Sequence, residues 1–199
     1  MRIINFNIFT IMRSLILDTE TNGIGSFRPA RQRIVQWSWI TPDNVERNYF
    51  IKGATEISPH VPHDITVDFL NAKGTEFDTV FKQFMDDLST TDKIVAHNVK
   101  FDVGCIRNEL KLRGYPEVIR DKLFHFPLYC TMQHSTKYCN IRLYNKDGTV
   151  SKTYKWPKLE ELHLKLFQTE PTGVLHDSLW DCRILQKCFQ KGIEEKVFC

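Results

Sequence analysis

The apolar run Leu15-Ile16-Leu17 stops at two acids, Asp18 and Glu20, and then at the turn formers Asn22, Gly23 and Gly25. A short apolar run bounded in this way reads as a buried strand over residues 14–18, followed by a turn over residues 19–25. Side chains alternate along a strand, so the carboxylates of Asp18 and Glu20, two residues apart, share a side. Two like charges held together raise at least one pKa or cost stability. A shared divalent cation removes the conflict.

Residues 33–40 and 45–52 are rich in β-branched and aromatic types and are joined by Thr41-Pro42-Asp43-Asn44, which signals a hairpin and, with the first strand, an antiparallel start to a sheet. Phe77, Val80, Phe81, Phe84, Met85 and Leu88 then fall at i, i+3, i+4, i+7, i+8 and i+11 of one helical face. A strand over 93–97 and a helix over 100–113, ending before Gly114, begin a strand and helix alternation. Residues 128–132 read as a strand, and residues 142–155 as a two-stranded excursion turning at Asp147-Gly148. Two helices close the chain. One spans 158–167 with Leu159, Leu162 and Leu166 on one face; the other is capped by Asp177 or Ser178 and runs to about residue 191. There is no internal repeat and no interdomain linker.

A chain of 199 residues holds one ordinary domain. Its composition, 42% hydrophobic and 26% charged, is that of a globular protein that folds unaided. No run approaches the roughly 18 apolar residues of a membrane span, so a soluble protein without a membrane partner is expected. Residues 1–12 are mildly apolar but are broken by Asn5, Asn7 and Thr10, and no small-residue cleavage site follows. A secretory signal is therefore not expected, and Met12 offers an alternative start. The six cysteines show no paired framework, which points to free thiols in a reducing, intracellular compartment such as cytoplasm or nucleus. His125, Cys130, His134 and Cys139 are loosely spaced like zinc ligands; the lack of a CxxC and the strand reading around Cys130 stand against that. Net charge is only +3, but residues 133–158 carry six basic residues against Asp147 alone, a local +5 interleaved with Tyr138, Tyr144, Tyr154 and Trp156.

Two further acids sit where a helix otherwise buries an apolar residue. Asp102 leads Ile106 and Leu110 at i, i+4 and i+8, and Asp181 leads Ile184, Leu185 and Cys188 on the last helix. Inward-facing carboxylates are rare unless paired or metal-bound. Singly, each acid has a plainer role: Asp18 ends a strand, Asp102 caps a helix, and Asp181 meets a helix dipole. Their convergence requires a fold that brings one strand and two helices together. His176 precedes Asp181 by five residues, on the approach to the last helix. Beside a metal cluster an imidazole can take a proton from water near neutral pH; elsewhere it is a surface residue.

Leu-Asp-Thr-Glu-Thr-Asn-Gly at 17–23, Ala-His-Asn-Val-Lys-Phe-Asp at 96–102 and His-Asp-Ser-Leu-Trp-Asp at 176–181 resemble, in order and spacing, the three exonuclease motifs of the DEDDh superfamily. That superfamily includes the proofreading epsilon subunit of bacterial replicative DNA polymerase, ribonuclease T and oligoribonuclease. The resemblance covers the chain from Arg13 onward, with lesser echoes in Ile34-Val35-Gln36 and His63-Asp64-Ile65-Thr66. A lone Asp-x-Glu carries nothing, whereas three motifs in order, each in its strand or helix context, are specific. The four residues between His176 and Asp181 match the histidine branch rather than its sister branch, where a tyrosine lies nearer the acid.

The resemblance implies an α/β fold, a ribonuclease-H-like mixed sheet of five strands flanked by helices, and a 3′-to-5′ exonuclease releasing nucleoside 5′-monophosphates from DNA or RNA. It implies that Asp18, Glu20 and Asp181 bind a first metal, that Asp18 also touches a second, that Asp102 supports the site partly through water, and that His176 is the general base. Oxygen ligands suit Mg²⁺ or Mn²⁺ rather than zinc, and two such ions would activate the attacking water and stabilise the leaving 3′ oxygen. Thr21 and Asn98, next to the acids, are candidates for holding the terminal nucleotide, with local turn hydrogen bonding as the plainer role; Phe101 is expected in the core.

Residues 1–12 are read as an N-terminal extension and 13–199 as the exonuclease domain, departing from compact members through a basic, aromatic β-hairpin inserted at about 133–157. Lys146, Lys152 and Lys155 are expected to meet the phosphates of a single-stranded 3′ end while bases stack on the rings; the plainer reading is a solvated hairpin. Two rivals stand beside this. One is a proofreading subunit docked on a DNA polymerase, disfavoured because only about ten residues are expected after the last helix, too few for the tail the epsilon subunit uses. The other is a non-catalytic nucleic-acid-binding module, disfavoured by five intact motif residues. No motif addresses the sugar 2′ position, so DNA and RNA both stay in the substrate class.

Overall fold

The apolar run near the N-terminus becomes the middle strand of a five-stranded sheet in the computed structural model, which describes residues 13–23, 32–123, 125–174 and 176–198. The extension over 1–12 and Gly25 of the expected turn lie outside the described residues. Strand β1 (Ser14–Thr21) pairs antiparallel with β2 (Ile34–Ile40), which pairs antiparallel with β3 (Glu46–Phe50). On its other side β1 runs parallel to β4 (Lys93–Ala96), and β4 parallel to β5 (Leu128–Cys130), giving the order β3-β2-β1-β4-β5. An early hairpin makes the antiparallel wing. Strand and helix alternation makes the parallel one.

The helical stripe read from the sequence is α2 (Phe77–Leu88), with Phe77, Val80, Phe81, Phe84 and Leu88 buried. Together with α3 (Val99–Leu112) it covers the sheet face that carries Leu15, Leu17, Trp37, Trp39, Ile94 and Ala96, and Phe101 packs against this cluster. Trp37 meets Trp39, Phe77 and Phe84 at ring-centroid distances of 5.5, 5.8 and 4.8 Å. Each fully buried tryptophan removes roughly 200 Å² from water, on the order of 5 kcal/mol of transfer free energy. The opposite face, with Ile16, Ile40, Val95 and Tyr129, is covered by α6 (Leu159–Phe167) and α7 (Ser178–Glu194) through Leu162, Leu166, Ile184, Leu185 and Cys188. Among the described residues no helix is long and apolar enough to cross a membrane.

Three local expectations are corrected. Strand β1 runs on to Thr21, past the turn expected from residue 19, because residues 19–21 keep pairing with β2. The strand expected over 128–132 stops at Cys130, and α5 (Thr131–Cys139) follows it, so the first part of the segment assigned to a hairpin is helical. Its buried positions are Thr131, Met132, Ser135 and Cys139. They have helical spacing but a largely polar make-up, which leaves no apolar stripe to read. Ser135 and Thr136 return their hydroxyls to the carbonyls of Thr131 and Met132 one turn back, at 2.7 and 2.8 Å. The hairpin itself is a separate two-stranded sheet, β6 (Arg142–Tyr144) and β7 (Val150–Tyr154), turning through Gly148 at φ 81°. Two short helices, α1 (Val67–Lys73) and α4 (Glu117–Lys122), escaped the periodicity because α1 buries only Leu70 and α4 buries nothing.

Candidate active site

Strand β1 outlasts its parallel neighbour. Their pairing covers Ser14, Leu15 and Ile16, after which β4 ends and the chain turns through His97 and Asn98 into α3. The later part of β1 thus lies beside the start of a helix. The Thr19 amide is met there by a side chain: Asp102 Oδ1 accepts from Thr19 N at 3.1 Å and from Thr19 Oγ1 at 2.9 Å. Asp18 and Glu20 point to the other face, toward α7. Their register partners on β2, Ser38 and Gln36, bond to Ser178 and Asp177 at the start of that helix.

Asp102 and Asp181 are each the fourth residue of their helix, α3 and α7. Side chains on a helix lean back toward its N-terminus, so a first-turn carboxylate reaches the end of the strand that the helix packs on. Each helix is entered through a left-handed residue, Asn98 at φ 85° just before α3 and His176 at φ 63° just before the N-cap Asp177. The left-handed turn redirects the chain from loop to helix at the height of the acids. One ligand atom from each of Glu20, His176 and Asp181 lies within 4.8 Å of the others.

The electrostatics are those of an uncompensated cluster. Burial, and then the charges of Asp102, Asp181 and Glu20, hold the Asp18 carboxyl well above the usual range. Burial, and then Asp181 and Asp102, push Glu20 up to about 8. Burial pushes Asp102 to about 7 despite its bonds from Thr19. Burial, and then Glu160 and Asp177, push Asp181 to about 7, while the His176 amide donates to it and pulls the other way. Among the described residues no lysine or arginine pairs with any of the four. Oxygen donors converging from β1, α3 and α7 with unrelieved mutual repulsion fit hard divalent cations such as Mg²⁺ or Mn²⁺.

The other expected residues are placed as follows. Thr21 is buried and donates its hydroxyl to Gly23 O at 3.0 Å, a local turn bond. Asn98 stands at the N-cap of α3 with no capping bond from its side chain. Lys146 lies in the tip of the hairpin and Lys152 on β7, both exposed, whereas Lys155 Nζ sits 2.6 Å from Glu161 Oε1. His125 and His134 are exposed while Cys130 and Cys139 are buried.

Sequence reading missed three neighbours. Glu160 and Asp177 add charge to the cluster, although Asp177 was visible only as a helix cap. His97, whose ring bridges Thr131 Oγ1 at 3.0 Å and Pro157 O at 2.9 Å, ties the base of the hairpin to the turn before α3. Its position between Ala96 and Asn98 in the second motif was the available signal.

No family model matches the chain, and no curated protein matches it in sequence. Solved structures match in fold. Exonuclease I in its apo form aligns with TM-score 0.64 at 21% identity over 93% of this chain and 43% of its own. Cell-death related nuclease 4 (CRN-4) aligns with TM-score 0.59 at 17% identity over 92% and 64%. The Neurospora crassa Pan2 catalytic unit, with protease and nuclease domains, aligns with TM-score 0.58 at 16% identity over 92% and 27%. The chain spans less than half the length of exonuclease I. At these identities the likeness establishes the fold, which is that of the sheet described above.

Proposed function

We propose, from a fold shared with exonucleases, that this chain is a divalent-cation-dependent exonuclease removing nucleoside 5′-monophosphates from the 3′ end of a DNA or RNA strand. The observation that carries the reading is the gathering of Asp18, Glu20, Asp102 and Asp181 from one strand and two helices, with His176 beside Glu20 and Asp181. Asp18, Glu20 and Asp181, supported by Asp102, would hold Mg²⁺ or Mn²⁺, two ions per site. When bound, these ions offset the carboxylate charge, favour deprotonation of the attacking water and stabilise the charge gathering on the leaving 3′ oxygen.

The chain's own residues supply the rest. Thr19 holds Asp102 by two hydrogen bonds, so that acid is fixed before substrate arrives. His176 is exposed and stands at the open side of the cluster, where its ring can take a proton from water and release it to solvent. Five free cysteines among the described residues suit an intracellular, reducing setting.

Matched 5′-labelled single-stranded DNA and RNA, incubated with Mg²⁺ or with EDTA, test the activity. A ladder shortening from the 3′ end only in Mg²⁺ is expected, and the faster strand identifies the preferred sugar. Intact strands of both kinds, with binding preserved, would replace the enzyme by a binding module.

The hairpin is the proposed strand-binding extension. Tyr144 and Trp156 are 68% and 60% exposed beside Arg142, Lys146 and Lys152, a pattern for stacking bases and neutralising phosphates. Replacing Lys146, Lys152 and Lys155 by Ala is expected to weaken binding and to flatten its salt dependence by about 0.7 in log–log slope for each lysine that meets a phosphate. Lys155 should contribute least, since Glu161 already holds it. An unchanged slope would mark the hairpin as a solvated excursion.

A further inference from the structure

Beneath the N-terminus of α7, the inner face of β2 carries a chain of hydrogen bonds that the acid cluster does not require. Gln36, 1% exposed, donates from Nε2 to Asp177 Oδ2 and to Asn48 Oδ1, both at 3.1 Å, and its Oε1 accepts from the Ser178 amide at 3.3 Å. Asn48 Oδ1 also accepts from Ser38 Oγ at 3.0 Å, and Ser38 Oγ lies 2.6 Å from Ser178 Oγ. Because Ser38 gives its proton to Asn48, Ser178 is the donor in that last contact. Both amide hydrogens of Gln36 and its carbonyl are thereby engaged. A buried amide satisfied in this way cannot be replaced without leaving several groups unpaired.

What the chain of bonds grips is the junction that carries His176. Asp177 Oδ1 caps α7 by accepting from Leu179 N at 3.1 Å and Trp180 N at 3.0 Å, and Gln36 holds its Oδ2. Both oxygens of Asp177 are thus engaged, one by the helix and one by β2. The preceding residue, His176, sits at φ 63°. For a residue other than glycine such a backbone is strained and persists only where neighbours over-determine it.

We infer that Gln36 is the positioning residue for His176: by holding the Asp177 carboxylate and the Ser178 amide at once, it sets the left-handed junction and so the direction of the imidazole toward Glu20 and Asp181. This rests on the nuclease reading above, in which His176 is the base. Gln36 is the register partner of Glu20 across β1 and β2, but its amide bonds go to Asp177, Asn48 and Ser178 and none goes to the four acids. Its effect is transmitted through residues 177 and 178.

The test is a double-mutant cycle in the full-length protein, with the His176 ring resonances as a second readout. Gln36→Leu is expected to lower kcat about 10-fold with KM held within about twofold, and to cost nothing further in a His176→Ala background. The Mg²⁺-dependent rise in melting temperature should survive in Gln36→Leu, since the acids are intact. The His176 ring signals, assigned by their loss in His176→Ala, should shift. An equal rate loss in both backgrounds, no loss in the wild-type background, or unmoved His176 signals would each overturn the assignment. An inactive wild-type protein would overturn the nuclease reading instead, and the ring signals would then decide by themselves whether Gln36 orients His176.

Discussion

Asp18→Asn is expected to melt about 2–4 °C above the wild type in EDTA while losing about 10³- to 10⁴-fold of its exonuclease rate. The two changes have one cause. Asp18 is packed among Asp102, Asp181 and Glu20, whose charges raise its pKa beyond what burial does alone. An isosteric amide removes that repulsion, and without a cation the fold gains on the order of 1 kcal/mol. The same amide removes a charge that a bound cation needs, and each 1.36 kcal/mol of lost transition-state stabilisation is tenfold in rate. Differential scanning fluorimetry in EDTA and a single-turnover digestion measure the two halves. A variant that melts lower than the wild type without a cation would show that Asp18 is structural, and one with full activity would remove it from the site.

Mg²⁺ or Mn²⁺ at about 100 times its dissociation constant is expected to raise the melting temperature by roughly 5–10 °C at pH 8, from a linkage of about 2.7 kcal/mol. The sign of the pH dependence follows from the raised carboxyls. Glu20 at about 8, and Asp102 and Asp181 at about 7, hold protons in the folded state at pH values where the unfolded chain has released them. Stability from these groups is full below about pH 4 and is lost as pH rises through 7 to 8. In EDTA the protein should therefore melt higher at pH 6 than at pH 8. The cation displaces those protons, so its stabilising effect should grow over the same interval and flatten the profile. Equal melting temperatures with and without divalent ions at pH 8 would mean that the four acids bind none.

Local signals accounted for much of this. The alternation in β1 placed Asp18 and Glu20 on one side, the apolar stripe identified α2, and the capping residues Asp177 or Ser178 marked the start of α7, where Asp177 is the cap. The three motifs contain the four acids and His176. Where a segment was polar yet helical, as in α5, the hydroxyls of Ser135 and Thr136 bonding back to the backbone hid it, since periodicity registers only apolar burial.

By itself, then, the sequence determined which carboxylates turn inward and which elements carry them, because facing and capping are set within a few residues of chain. Only the tertiary structure decided that β1 extends beyond β4, that Thr19 clasps Asp102 from 83 residues away, and that Gln36 reaches Asp177 across 141. Hydrogen bonds act over about 3 Å, and charges shift a pKa over about 4–6 Å. Partnerships at that range between distant segments exist only once the sheet and its helices have packed.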